Sequence, residues 1–288
     1  MKAILGRTFL AFALLLASPL AAAPAMWVIR DADTEITLFG TVHALPKGED
    51  WFSPAIKSRL DAADTLVLEA VLPTDKLALG TLVSEIGLRE GQKPLTARVS
   101  PEMAPKIAPL AAKAGLPLIA LNRMDSWLAA LSLGEATLYS LGIASDNGVE
   151  PALENRARAA GKAVVGLETA EQQLRYFDNL PEPDQIAMLE ATLADLGTAR
   201  VETDKLTALW RAGDIEAIAR DFAKEAKASP LLMKVLLTDR NARWADWIAS
   251  VMKRPGKVFI AVGAGHFGGE QGLVAELAKR GLTAERLE

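Results

Sequence analysis

Residues 35–71 read EITLFGTVHALPKGEDWFSPAIKSRLDAADTLVLEAV, and the order of patterns within them decides the fold. EITLFG (35–40) is a short, β-rich apolar run. Ser53 followed by Pro54 sets a capping hydroxyl before a proline at the first helical position, which predicts a helix to about Ala63. TLVLEAV (65–71) is a second strand. Strand, helix and strand in so short a span imply parallel strands joined by a right-handed crossover, because a tight turn joins only antiparallel neighbours. Upstream, MWVIR (26–30) and EITLFG flank Asp31-Ala32-Asp33-Thr34 and read as a hairpin.

The same unit recurs along the chain. A helical stretch near 102–114 leads to LPLIAL (116–121), and one near 149–160 leads to AVVGLE (163–168). A long amphipathic helix near 231–253 leads to KVFIAVG (257–263), and another near 271–280, ended by Gly281, leads to the closing LTAERLE. The fold class is therefore α/β: a central, mostly parallel sheet with flanking helices, formed by residues 26–288. Two mostly helical insertions, near 72–100 and 170–230, read as caps over the sheet.

In open parallel sheets ligands bind outside the carboxyl ends of the strands. The residues standing there are Gly40-Thr41-Val42-His43 after EITLFG, Glu69 in TLVLEAV, Asn122 after LPLIAL, Glu168 in AVVGLE, and Gly263-Ala264-Gly265-His266 after KVFIAV. His43 and His266 are the two histidines of the chain, and both follow a strand in G-x-x-H spacing. A lone G-x-x-H is unremarkable. Two of them, holding the whole histidine content, point to chemistry. Glu69 and Glu168 are carboxylates set in apolar strands, where an ionised group is costly unless paired or bound to a cation, although a strand simply reaching solvent would also explain them. Two imidazoles and one or two carboxylates can hold a divalent transition metal with open positions; the same groups can also work without metal as acid and base. Arg240, in the helix before KVFIAVG, could reach this edge as a carboxylate or oxyanion clamp.

Composition narrows the functional classes. The chain has 288 residues, 50% hydrophobic, and no cysteine, which removes disulfide frameworks, thiolate metal sites and cysteine nucleophiles. A formal net charge of -4 gives no electrostatic footprint for nucleic acid. Residues 1–25 carry Lys2 and Arg7, then FLAFALLLA, then SPLAAAPA, and read as a secretory signal peptide cut after Ala23 or Ala25. The apolar run is shorter than the ~20 residues that span a bilayer, so the mature protein is expected to be soluble and exported, most simply periplasmic, with no stable membrane span. Gly263, Gly265 and Gly268 form G-x-G-x-x-G, but the chain ends where the second half of a dinucleotide domain would begin, so NAD is not expected. The chain has no G-x-S-x-G elbow, P-loop or H-E-x-x-H. The six tryptophans read as packing rather than as a carbohydrate platform, with Trp51 and Trp127 the two next to loops.

Several segments carry a resemblance to the TraB/GumN family, which includes the Tiki-type membrane-associated proteases. They are LFGTVHALPKGEDW and TLVLEA, then GVEPALENRARAAGKAVVGLETAEQQLRYFD, LLTDRNARW and FIAVGAGHFGGEQGLVAELAKRG. The resemblance runs from about residue 34 to 284. It departs from the family at RMDSW (123–127), where a Pro-Trp pair is usual, and at Phe267-Gly268, where Leu-Pro is commoner. What it implies is a fold related to the erythromycin-esterase and ChaN-like proteins, with His43, His266 and Glu69 at the active centre. Glu168, Gln172, Arg240 and Asn241 are further matching positions, beside the motif residues Gly40, Thr41, Gly263 and Gly265. Tiki-type relatives are metal-dependent proteases, and GumN-type members are exported bacterial proteins linked by name to exopolysaccharide production. The expected function is thus an exported metal-dependent hydrolase, most simply a peptidase. His43, His266 and Glu69 would hold manganese, cobalt or zinc, Glu69 and Glu168 would serve catalysis, and Arg240 would face a peptide or small-molecule substrate. The alternatives are a non-catalytic metal- or haem-binding module and an accessory of exopolysaccharide production.

Overall fold

A computed structural model describes residues 23–195, 197–225 and 229–287. The expected signal peptide lies almost wholly outside them. Among the described residues eight strands, β1 (Met26–Arg30), β2 (Thr34–Thr41), β3 (Leu45–Pro46), β4 (Thr65–Val71), β5 (Ile143–Ala144), β6 (Ala163–Thr169), β7 (Gly256–Gly263) and β8 (Glu285–Leu287), build two sheets. The large one has the order β6-β4-β7-β2-β1-β8, and the small one pairs β3 with β5. β6, β4, β7 and β2 run parallel, while β1 is antiparallel to both β2 and β8. Helices flank this mixed, mostly parallel sheet, as the α/β reading requires.

Local chemistry explains the opening elements. β1 turns into β2 because the Asp31 carboxylate accepts the backbone N–H groups of Asp33 and Thr34, an Asx turn in place of a glycine turn. Ser53 caps the helix Pro54–Ala62, with Pro54 at its first position and Ile56 and Leu60 turned into the core. That helix carries the chain across to β4, and β7 later fills the place between β4 and β2. Ile36, Leu38, Leu66, Phe259 and Ile260, all fully buried, form the centre of the core, and each such side chain contributes about 1.5–3 kcal/mol on burial.

One expected strand is a helix. LPLIAL becomes the helix Leu118–Arg123, preceded by Pro117, with Ile119 78% exposed and Leu121 buried. A six-residue apolar run cannot distinguish a strand from a short helix, and no neighbouring strand offers this segment a ladder. Asn122 consequently lies away from the strand ends, where its side chain accepts Leu95 N–H at 2.8 Å. Helical chain therefore extends further than the expected 72–100, through Lys76–Gly87, Ala104–Lys113, Leu118–Arg123 and Ser126–Ser140. Part of it joins Glu182–Asp195 in a second core around Ile107, Leu121, Leu133 and Leu189. The stretch near 170–230 is helical as expected, in Ala170–Asp178, Glu182–Asp195, Ala199–Arg211 and Ile215–Glu225. The long helix before β7 is present as Pro230–Met233 and Asp239–Val251, joined by a π-helical turn, Lys234–Thr238. No described helix is long and apolar enough to cross a membrane.

Both tryptophans next to loops are packing residues. Trp127 is fully buried and stacks on Phe177, and Trp51 packs among Phe39, Phe52 and Trp210.

Candidate functional site

Strand register delivers the site. Thr41 at the end of β2 pairs with Gly263 at the end of β7, Leu68 of β4 pairs with Ala261 of β7, and Ala70 of β4 pairs with Glu168 of β6. Four adjacent parallel strands therefore present, in order across the sheet, Glu168, Glu69, His266 and His43. Gly263 stands at their meeting point. A Cβ built there would lie 3.1 Å from Glu69 Oε1, 3.6 Å from His43 Nε2 and 3.6 Å from His266 Cδ2. Absence of a side chain at Gly263 lets all three groups close in on its backbone, and together with Gly263 they line the floor of one cavity. Gly265 does the same for packing, since a Cβ there would meet the Phe222 ring at 2.6 Å. Together with Gly268, which presses against Ala219 and Ile215, Gly265 shows that the glycine face of the G-x-G-x-x-G pattern is covered by the helix Ile215–Glu225.

The proton positions on His266 follow from its neighbours. Asn241 donates its amide N–H groups to the carbonyls of His266 (3.2 Å) and Gln271 (2.8 Å), so its oxygen must be the atom 2.7 Å from His266 Nδ1. Nδ1 therefore carries the hydrogen and Nε2 the lone pair. Burial first, helped by the charges of Arg240 and His43 and opposed by Glu69, pushes this imidazole down to about 3, so it is neutral at physiological pH. Nε2 lies 3.4 Å from Arg240 Nη1 and 3.7 Å from Glu69 Oε1.

His43 is the opposite case. Its Nδ1 lies 2.9 Å from Glu150 Oε1, which also accepts the Thr41 hydroxyl, and its side chain is 67% exposed at the mouth of the site. The Glu150 charge and hydrogen bond raise this exposed imidazole to about 9. Glu150 sits in the first turn of the helix Val149–Ala159, which docks on the His43 loop through Val149 N–H to Val42 O at 3.2 Å. Gly148 permits that docking, because a Cβ there would overlap the His43 carbonyl oxygen. Gly148→Ala is expected to cost about 1–3 kcal/mol as overpacking and to displace the His43 loop. A denaturant midpoint unchanged from wild type would show instead that the loop yields freely.

Glu69, Glu168 and Arg240 form a buried network, at 8%, 8% and 6% exposure. Arg240 Nη2 donates to Glu69 Oε2 at 2.6 Å and to Glu168 Oε2 at 2.9 Å, and its Nε donates to Glu168 at 3.1 Å. Its Nη1 donates to the Leu236 carbonyl in the π-helical turn, a distortion frequent at functional sites. Glu168 also accepts Tyr176 O–H and Trp244 Nε1–H, each at 3.1 Å, so every donor holds it in place behind Arg240. Glu69 Oε1 accepts Gly263 N–H at 2.8 Å. Burial alone would raise the Glu69 carboxyl, but His266 when protonated, His43, Arg240 and the Gly263 amide outweigh it and hold the group at about 2. Burial likewise opposes the charge of Arg240, and the two carboxylates override it.

Gln172 acts locally, closing a capping box with Thr169 at the start of the helix Ala170–Asp178. Its neighbour Gln173 is the glutamine that faces the site, 3.3 Å from both Glu69 and Glu168. Gln173, Glu150 and Tyr176 escaped sequence reading because each lies in a helix as an ordinary polar residue, with no strand end or repeated spacing to mark it.

A divalent metal would have to be held by Nε2 of His43, Nε2 of His266 and Glu69. With Nδ1 of each ring held by an acceptor, each imidazole in its neutral form would offer Nε2 for ligation. The arrangement does not suit an ion: among the described residues no three His, Asp or Glu groups are placed to hold an ion, and Arg240 puts a guanidinium on Glu69 and beside His266 Nε2. As they stand, these side chains form an acid–base pair of imidazoles around a carboxylate. With two histidines in the chain, the pair is readable by nitrogen-detected NMR. His43 is expected to titrate near 9 and to stay uncharged at neutral pH in Glu150→Gln, while His266 keeps Nδ1–H and does not titrate near neutrality. A His43 midpoint near 6.5 in the wild type would sink this assignment.

Comparison with known proteins agrees in extent with this architecture. The chain is 24% identical over 250 residues to the uncharacterized protein YbaP of Escherichia coli (strain K12), covering 87% of this chain and 90% of that protein. A YbaP of Shigella flexneri matches equally, at 24% over 250 residues. No solved structure matches. The family model described as TraB/PrgY/gumN spans residues 25–286, from β1 into β8, and the chain belongs to that family.

Proposed function

We propose that the chain is a hydrolase of carboxylic esters or amides, acting outside the cytoplasm once residues 1–25 are removed. The observation that carries this is the convergence of His43 Nε2, the His266 ring and Glu69 Oε1 beside Gly263 at the floor of the cavity, with each ring anchored through its Nδ1 hydrogen. His266 Nε2 accepts a proton from a water at the cavity floor as the water oxygen bonds to the substrate carbonyl carbon. Glu69, 3.7 Å away, then stabilises the imidazolium that forms. His43, protonated below about 9, gives its Nε2 proton to the leaving oxygen or nitrogen as the old bond breaks. The proton gained by His266 leaves to solvent and His43 is reprotonated from it, so one water is consumed per bond cleaved. Arg240 keeps Glu69 ionised and oriented. Glu168 acts through Arg240 and is a positioning residue.

The test is turnover of an ester and amide panel by purified protein, in chelator and with added manganese, cobalt or zinc. His266→Ala is expected to lower kcat by about 10²–10⁴-fold, and full activity in that variant would dispose of the proposal. A second reading, a metal-dependent peptidase like the Tiki-type proteases or a metal-binding module, is supported by the two imidazoles and the carboxylate that meet beside Gly263. It requires Arg240 to leave His266, and it predicts activity or stoichiometric metal capture that chelator removes.

A further inference from the structure

Above the strand ends the site opens into a cavity of about 630 Å³ between the cap helices, a size that takes a small organic ligand rather than one water or ion. Its walls carry Leu138, Phe177, Leu206, Phe222, Leu232 and Met233. The polar side chains among them have already given their hydrogens to the protein. Thr203 donates to Ala199 O at 2.7 Å, Ser229 to Asp184 at 3.5 Å, Tyr176 to Glu168 at 3.1 Å, and Thr41 to Glu150. Gln173 is held on Glu69 and Glu168. At the floor Arg240 is ion-paired with Glu69 and Glu168, and His43 with Glu150. No tryptophan is among the lining residues.

A ligand rich in amides or sugar hydroxyls would surrender its hydrogen bonds to water here and find few side-chain donors in return, at a cost for each group left unpaired. A hydrocarbon chain loses nothing and gains with every methylene. From this we infer that the site takes an acyl chain of medium length, seated between the cap helices with its carbonyl over Gly263. The substrate class is then an acyl ester rather than an oligosaccharide or an extended peptide. This rests on the hydrolase reading for its chemistry but not for its binding.

The experiment therefore separates the two. Methyl ketones from pentanone to undecanone keep the carbonyl and have no leaving group, and their binding is followed by calorimetric titration. Affinity is expected to tighten about fourfold per added methylene until the chamber fills. Met233→Trp should move that plateau to a shorter chain, and Met233→Lys should flatten the series. A flat series in the wild type, or tighter binding of a peptide amide or oligosaccharide of similar size, overturns the inference. In parallel, kcat/KM is measured on p-nitrophenyl esters of the same lengths. Graded ketone binding without ester turnover removes the hydrolase reading alone; turnover indifferent to chain length removes the acyl inference alone.

Discussion

Replacing Arg240 with leucine is expected to lower the free energy of unfolding by about 3–5 kcal/mol, because it strands two buried carboxylates without their shared cation. For a chain of this size that is a loss of about 2–4 °C in Tm for each kcal/mol. Glu69 and Glu168 are each 8% exposed, and Arg240 supplies three of its nitrogens to them, to Leu236 and to His266, so no other side chain replaces the whole set. The pH dependence identifies the cause. In the native chain Glu69 is held at about 2 against an ordinary 4.5, so its contribution is complete above about 4.5 and is lost as pH falls through about 2. Without Arg240 one of the charges that offset the burial of Glu69 is gone, its carboxyl moves upward, and acid then relieves the strain by protonating it. The stability gap between wild type and Arg240→Leu should therefore be widest near neutrality and should narrow as the solution is acidified. Denaturant unfolding at several pH values measures this. A gap constant across that range would mean that lost packing, and not stranded charge, is responsible. The variant that also carries Glu69→Gln and Glu168→Gln should recover much of the stability while remaining inactive, because it removes the unpaired charges along with the cation.

The frame that holds this network was readable from the chain because it depends on local signals. The Asx turn at Asp31, the Ser53-Pro54 cap and the β-branched run of β7 each announce themselves within a few residues. Strand ends followed by G-x-x-H brought His43 and His266 into view for the same reason. What stayed hidden depends on distance. LPLIAL was ambiguous because strand and short helix share an apolar run, and the partner strand that would decide is nowhere near it. Glu150 sits in a helical first turn, where acidic residues are common on electrostatic grounds alone, so nothing in its setting announces His43 across the fold. Gln172 and Gln173 are adjacent and chemically identical, and only the rotation of one helix decides that the first caps it and the second meets the carboxylates. Arg240 was visible as a carboxylate or oxyanion clamp, but not which carboxylates it holds: they are Glu69 of β4 and Glu168 of β6, far apart in the chain.

Asn241→Leu is expected to reduce turnover by about 10²–10⁴-fold at a stability cost of about 1–3 kcal/mol for the unmade hydrogen bonds. Asn241 is 2% exposed, and its oxygen is the acceptor that keeps the His266 hydrogen on Nδ1. Leucine at that position accepts nothing, so the hydrogen is free to move to Nε2, where Arg240 Nη1 ceases to find a lone pair but Glu69 Oε1 gains a donor. Asn241→Asp separates this effect from simple damage. Both variants lose the two donated bonds to the carbonyls of His266 and Gln271, and aspartate also turns a buried carboxylate oxygen toward those carbonyls, so its structural cost is at least as large. Aspartate alone keeps an acceptor at Nδ1, and its charge favours the imidazolium. If the tautomer matters, Asn241→Asp should retain far more activity than Asn241→Leu at equal or greater loss of stability, with the His266 titration moved upward from about 3. Nitrogen chemical shifts in a His43→Gln background, where one imidazole remains, report the tautomer without any substrate. Equal activity in the two variants, or Nδ1–H retained in Asn241→Leu, would show that Asn241 merely ties the loop after β7 to the helix Asp239–Val251.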